Sequence, residues 1–401
     1  MEKVPMLLKA ERIIMYIPVS RWLLAALVAS TALLAACGSD SAKIGEDTAP
    51  RAAMVAQPEY YPADYGQLVD GSRNESGLLI YSNVAEYNWR DIIRGFNQKY
   101  PWIKVSTLDL GPGEIFERYY SEVSAKQKTS DLIVNAAPDA WLRFMSKDGI
   151  EPYLSAEDSK LPGWSKPVPG LYTASTDPLV IIYNKMLLKD LDPPTSLTQL
   201  SEMMIANPAR FGNKVTTYDA TSHSFAYALH WAVVNSGKLD GWDLFEKIGP
   251  LTQPESGGAN MLDKVTSGEY LAAYYTSGAT TFSQLSQGGR DRVVGWELPR
   301  DGTPVIMRGL AIPRGARSPL SARLMLDYLV SHEGQVAMGK GGMTPYRPDV
   351  KSEEVSFLTY ADIVEKVGGT QNVILVNYAP AMLTEYKPFI ERWGALFKEK
   401  K

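Results

Sequence analysis

Apolar positions between residues 78 and 145 alternate between two spacings. Leu78-Leu79-Ile80-Tyr81 is a compact run of strand length, whereas Trp89, Ile92, Ile93, Phe96 and Tyr100 return at helical spacing until Pro101 stops them. Ile103-Lys104-Val105 predicts a second strand, Gly111-Pro112-Gly113 turns the chain, and Ile115, Tyr119 and Val123 mark a second helix. Asp131-Leu132-Ile133-Val134 predicts a third strand, and Pro138 opens a helix with Trp141, Leu142 and Met145 on its buried face. Ahead of this series, Pro62 opens a short helix in which Tyr65, Leu68 and Val69 share a face. Strand–helix alternation of this kind predicts an α/β protein whose mainly parallel sheet is covered on both faces.

The alternation restarts after a strongly apolar strand at 178–184. Helices are expected near 197–205, 225–235, 242–248 and 260–267, with strands at 215–218 and 271–276. Val305-Ile306-Met307 and Leu310-Ala311-Ile312 read as extended segments leading back. Ser318 as N-cap and Pro319 in the first turn open a long helix whose Leu320, Leu324, Tyr328 and Leu329 face inward. At 401 residues the chain exceeds what one hydrophobic core usually supports, so two domains are expected.

The beginning of the chain breaks this rhythm. Lys3, Lys9, Arg12 and Arg21 precede or open an uncharged apolar stretch, 22–36, that ends in Ala35 and Ala36. A positive start, a short apolar middle and a small-residue end predict a secretory signal over 1–36; the stretch is shorter than the roughly 18–20 residues of a membrane span. Leu34-Ala35-Ala36-Cys37 resembles a bacterial lipobox, which implies cleavage before Cys37 and acylation of its thiol. Cys37 is the sole cysteine and has no intrachain partner for a disulfide. Met15 is an alternative start, because the charged region before it is long for a signal. Residues 37–59 read as a tether, so the expected location is the periplasm or the cell surface, on a membrane through an N-terminal lipid. Residues 1–36 hold four Lys/Arg and two Glu, so their removal takes the formal charge from −4 to −6. With no basic run and no Arg/aromatic interleaving, nucleic acid is not an expected partner.

In open parallel sheets, ligands sit beyond the carboxyl ends of strands, where helix starts present free N–H groups. Four polar loops occupy such places: Ser82-Asn83, Asn135-Ala136, Thr221-Ser222-His223-Ser224 and Thr276-Ser277-Gly278. Hydroxyls and amides there suit an anionic or strongly polar group, ordinary N-capping being the plain alternative for each. Arg308, with Arg290 or Arg292, is a candidate partner for a carboxylate or phosphonate.

Five stretches, "GLLIYSNV" (77–84), "SDLIVNAAPDAW" (130–141), "DPLVIIYNK" (177–185), "KVTSGEYLAAYY" (264–275) and "ARLMLDYLVSHEGQ" (322–335), occur in an order that resembles the substrate-binding components of bacterial ABC importers. The similarity is to the type II solute-binding proteins, the branch that includes ferric-iron, polyamine and phosphonate binders. It implies two α/β lobes, 60–177 with 309–401 and 178–308, joined by two crossing segments near 177–184 and 305–311. It also implies a small ligand between the lobes, an ABC permease as partner, a monomer, no cofactor and no catalysis.

A small anionic organic ligand is the expectation, with no metal site. Tyr274-Tyr275 suggests ferric iron, but successive strand residues point to opposite faces. Aligned on "GEYLAAY", the metal tyrosines of ferric-binding relatives fall near Gly278 and Ala279, which offer no oxygen ligand. A ferric-iron receptor stays the alternative. His223 and His230 lack the i, i+4 spacing of a helical zinc pair, and with His332 they read as surface or capping residues. "GQVAMGKGG" (334–342) nearly matches a phosphate-binding loop, yet Gly341 stands where a hydroxyl is needed. A sensory lipoprotein, or a hydrolase using scattered carboxylates on the same fold, are the rival readings.

Overall fold

The computed structural model describes residues 57–397 apart from Ser286; the signal peptide, Cys37 and the tether up to residue 56 lie outside the described residues. In chain order the strands are β1 (Leu78–Ser82), β2 (Val105–Asp109), β3 (Leu132–Asn135), β4 (Tyr172–Asn184) and β5 (Val215–Tyr218). They continue as β6 (Thr252–Glu255), β7 (Ala272–Ser277), β8 (Val294–Glu297), β9 (Thr303–Ala311) and β10 (Val373–Val376). Their lateral order is β2-β1-β3-β9-β4-β7-β5-β6, with β10 on β9 and β8 on β4. Two parallel sets, β1 to β3 and β5 to β7, are thus joined through β4 and β9, which run antiparallel to each other and to β7 and β3, while β10 lies parallel to β9.

Strand β4 changes partners along its length. Residues Tyr172 to Pro178 pair with β9, whereas Leu179 onward pairs with β7 and then β8. The change falls at Pro178, whose nitrogen has no hydrogen to give a ladder. The helix Gly278–Leu285 starts against the same spot: a Cβ on Gly278 would lie 2.8 Å from the Pro178 carbonyl oxygen, so glycine is what lets the helix come this close.

Alternate residues of the first set feed two cores. Ile80 and Val134 meet Trp89, Ile92 and Phe96 of the helix Glu86–Lys99, while Tyr81 and Ile133 meet Phe116, Trp141 and Phe144 on the other face. Each fully buried large side chain contributes about 1.5–3 kcal/mol, which is how helical and strand spacing become a layered fold. The second set has its own core around Ile182, Tyr227 and Phe245, and the helix Ala381–Leu396 inserts Phe389 and Trp393 into it. The segment 309–401 therefore includes a helix packed on the second set. Among the described residues no helix is long and apolar enough to cross a membrane.

Several elements depart from the pattern reading. β2 runs to Asp109 rather than ending near Val105, and β4 begins six residues before Pro178. β6 (Thr-Gln-Pro-Glu) has no apolar run to announce it. Ser318 makes no side-chain cap; instead the Glu75 carboxylate accepts the N–H groups of Leu320 and Ser321 at 3.0 and 2.7 Å, a cap from 245 positions away. His230 is fully buried rather than at the surface.

One buried carboxylate pins the start of the described chain. Asp327 accepts from Tyr65, Tyr153 and Ser155 hydroxyls at 2.8, 2.7 and 2.6 Å and from the Ala156 N–H at 3.2 Å. Burial nevertheless raises its pKa from 3.8 to about 6, against the lowering effect of these donors. The folded chain then binds a proton here that the unfolded chain releases between pH 4 and 6, so this group's contribution to stability falls as pH rises through that window. Replacing Asp327 by Asn should flatten that part of the stability profile, measured as denaturant midpoints from pH 4 to 7; an unchanged slope would locate the dependence elsewhere.

Candidate functional site

The carboxyl ends of β1, β2, β5, β6 and β7 open onto a cleft of about 410 Å³, lined from both sets of strands. That size lies within the usual range for small-molecule pockets, about 300–1,000 Å³. Its floor comes from the two joining strands. Arg308 of β9 donates through one terminal nitrogen to Asn83 Oδ1 at 2.6 Å, and its other terminal nitrogen lies 3.5 Å from Asp177 Oδ2 of β4. Asp177 in turn accepts from the Ser277 hydroxyl at 2.6 Å and the Ala279 N–H at 2.9 Å. A continuous polar chain thus runs from the first set, through Asn83, to the second, through Ser277.

Both charges of this floor are almost fully removed from water, at 5 % and 1 % side-chain exposure. Burial raises the Asp177 carboxyl and lowers the Arg308 guanidinium, their mutual attraction opposing it in each case. Burial dominates, so each charge is tolerable only because the other is there. Arg308 Nε is left without a hydrogen-bond partner.

On the first wall stand Tyr87, Asn88 and Asp109; on the second, Tyr218, His223 and Phe225. The helix Gly258–Ser267 starts in the cleft with no side-chain cap, presenting its first N–H groups. A Cβ on Gly258 would lie 2.4 Å from the Tyr218 hydroxyl, so glycine keeps this helix start and the tyrosine in register. His223 Nδ1 accepts the Ala226 N–H at 3.2 Å and Nε2 meets the Ser256 carbonyl at 2.9 Å, which fixes the Nε2–H tautomer. Burial lowers its pKa, so it is a neutral cap joining two loops rather than a cation. His230 likewise donates to the Tyr218 carbonyl at 2.8 Å, its pKa pushed down to about 4 by burial.

Of the residues expected at a site, Asn83, Ser277 and Arg308 line the cleft. Ser82 sits beneath it, accepting from Trp89 Nε1 at 3.1 Å, and the Ala136 N–H donates to Asn83 Oδ1 at 3.2 Å. Asn135 is buried and donates to the Pro112 carbonyl at 2.8 Å, and Thr276 is buried with its hydroxyl unpartnered. Thr221 and Ser222 turn back onto Asp219 at 2.7 Å each, and Ser224 faces Arg143 at 3.5 Å; none of the three lines the cleft. Arg290 pairs with Asp263 at 2.8 Å, and neither it nor Arg292 reaches the cleft. "GQVAMGKGG" is largely the helix His332–Lys340, not a phosphate-cradling turn.

The tyrosine pair shows a local exception to strand alternation. Between Val180 and Ile182 of β4 the register with β7 slips by one, so Tyr274 and Tyr275 together face Ile181. This bulge holds Tyr275 at φ +62° and brings the two rings to 5.6 Å. The rings do converge, but inside the core, fully buried and outside the cleft lining.

Asp109, Asp177 and Tyr218 carry no sequence expectation. Asp109 lies four residues past the end of the strand expected at 103–105, and Asp177 precedes Pro178, which reads as a strand boundary. The mid-strand aspartate before a proline was the available signal.

The profile of bacterial extracellular solute-binding proteins matches residues 91–359. Among solved structures, the substrate-binding protein of an ABC transporter from Agrobacterium tumefaciens aligns with a TM-score of 0.72 at 22 % identity, covering 82 % of this chain and 97 % of that one. AfuA from Actinobacillus pleuropneumoniae, with fructose-6-phosphate bound, aligns at 0.60 and 19 %, over 80 % and 99 %. Iron-bound HitA from Pseudomonas aeruginosa aligns at 0.61 and 15 %, over 78 % and 99 %. No curated protein is detectably similar in sequence.

Replacing Asp177 by Ala should cost about 3–5 kcal/mol, the usual penalty for leaving a buried charge without its partner, while Asp177→Leu with Arg308→Met should recover most of it. Chemical denaturation of the three proteins checks this; equal losses in the single and double variants would mean that the pair is not coupled.

Proposed function

The chain belongs to the bacterial extracellular solute-binding proteins, and from that membership we propose that it captures a small anionic organic solute outside the cytoplasm and presents it to an ABC permease. Its fold is that of the type II periplasmic binding proteins. The observation that carries the proposal is a cleft lined by both parallel sets and floored by the two strands that join them. In this reading the sets are two lobes, β4 and β9 are the hinge, and the C-terminal helix Ala381–Leu396 moves with the second lobe into whose core it packs. A solute bridging the walls stabilises the closed form, which the permease recognises. The anionic group is received by the uncapped start of the helix Gly258–Ser267 and by the free Nε of Arg308. Asn83 and Ser277 hold the floor in place. Acylated Cys37 and the 37–59 tether keep the receptor at the membrane, and the protein performs no reaction on its ligand.

Ferric iron is the second reading, supported by the likeness to iron-bound HitA and by Asp109 and Tyr218 in the cleft. Against it, the oxygens of Asp177 are engaged and the Arg308 guanidinium forms the floor, where it would repel a trivalent cation.

A thermal-shift screen of small anions, amines and metal salts on the protein truncated at Cys37 identifies the solute, and small-angle scattering then reads closure. The expected outcome is a smaller radius of gyration at saturating ligand; an unchanged profile would remove the hinge. A tyrosinate-to-iron charge-transfer band on titration with ferric citrate would replace the organic solute by iron.

A further inference from the structure

The charged side chains lining the cleft do not balance. Arg308, Asp177 and Asp109 are the Lys, Arg, Asp and Glu residues among its described lining. The first two satisfy each other, and Asp177 is further occupied by Ser277 and Ala279. The Asp109 carboxylate, at the end of β2, has no hydrogen-bond or ion-pair partner among the described residues, and only the more distant Arg308 charge acts on it. One carboxylate is therefore left over in a site that also presents uncapped helical N–H groups and the rings of Tyr87, Tyr218 and Phe225.

We propose, building on the solute-binding reading above, that the solute is zwitterionic: its anionic group sits at the start of the helix Gly258–Ser267 and Arg308 Nε, and a cationic nitrogen sits against Asp109. The physical reason is what closure does to Asp109. An ionised carboxylate taken out of water without a partner is strongly unfavourable, and a plain anion entering the same cleft adds repulsion to desolvation. A ligand ammonium removes both penalties, and the aromatic walls favour a cation or its methylene chain. Partial burial already raises the Asp109 carboxyl, with Arg308 drawing it back, so the cleft walls affect this group even while it is solvent-accessible. The two ends of such a ligand are read from different sides: Asp109 belongs to the first parallel set and the helix start to the second. A zwitterion thus links the two walls by opposite charges, so the anionic group proposed above binds best on a solute that also carries a cationic nitrogen.

The test is isothermal titration of the Cys37-truncated protein and its Asp109→Asn variant with three matched series: ω-amino carboxylates of two to six carbons, the same carboxylates without nitrogen, and the same amines without carboxylate. A member of the first series should bind wild type, its uncharged-end analogues at least tenfold more weakly, and Asp109→Asn should lose roughly tenfold to a hundredfold in affinity for it, as expected for a charge-assisted hydrogen bond. A nitrogen-free carboxylate or a phosphate monoester that binds wild type tightly, with Asp109→Asn unchanged or tighter, would overturn the zwitterion and leave the solute-binding reading standing. Failure of all three series, inorganic phosphate and a broad metabolite panel to bind wild type would overturn both. Melting temperatures of the two proteins confirm that the variant is folded.

Discussion

The contact between Arg308 and Asp177 is the constraint around which the cleft is arranged. Each charge is buried on a strand that passes from one parallel set to the other, and neither is sustainable there alone. Their pairing places Asn83 of one set and Ser277 of the other in the same hydrogen-bonded chain. The floor is therefore common property of both halves, while each wall belongs to one. Asp177 also occupies the start of the helix Gly278–Leu285, so the capacity of that helix to receive an anion is used internally. The helix Gly258–Ser267 starts at the cleft with no side-chain cap, as does the helix Glu86–Lys99 on the opposite wall, so these starts keep N–H groups to give.

Irregular backbone collects around the same floor. Pro178 ends one ladder and begins another, Gly278 permits close approach to its carbonyl, and the Tyr274–Tyr275 bulge shifts by one residue which face of β7 the following Thr276 and Ser277 present. A non-glycine residue at φ +62°, as Tyr275 is, persists only where surrounding packing over-determines it, and both rings here are fully buried. These features direct Ser277 at Asp177 without any need for a long loop.

The alternation of strands and helices was readable because buried faces repeat at fixed spacings, and the core positions from Leu78 to Trp141 follow that repeat closely. Loops at strand ends announced Asn83 and Ser277, and the returning strand announced Arg308. The hydroxyls of Thr221 and Ser222 were attractive for the same local reason, yet they satisfy Asp219 two and three residues away. Local polarity does not say which way a turn folds back. Asp109 and Asp177 depended on where strands end and change partners, which is decided by pairing between segments, with Ser82 for Asp109 and with Ile306, more than a hundred residues on, for Asp177. Glu75 capping a distant helix, and a bulge reversing the alternation at Tyr275, belong to that same non-local class.

Amide hydrogen exchange with and without a stabilising solute tests most directly whether this floor and its walls form the binding site. A solute seated there slows exchange in three segments at once, 83–88, 257–260 and 277–280, which lie in both parallel sets and meet only at the cleft. Protection confined to one of these segments, or appearing only around 152–172 on the far side of the first set, would contradict the site and the bridging of the two walls.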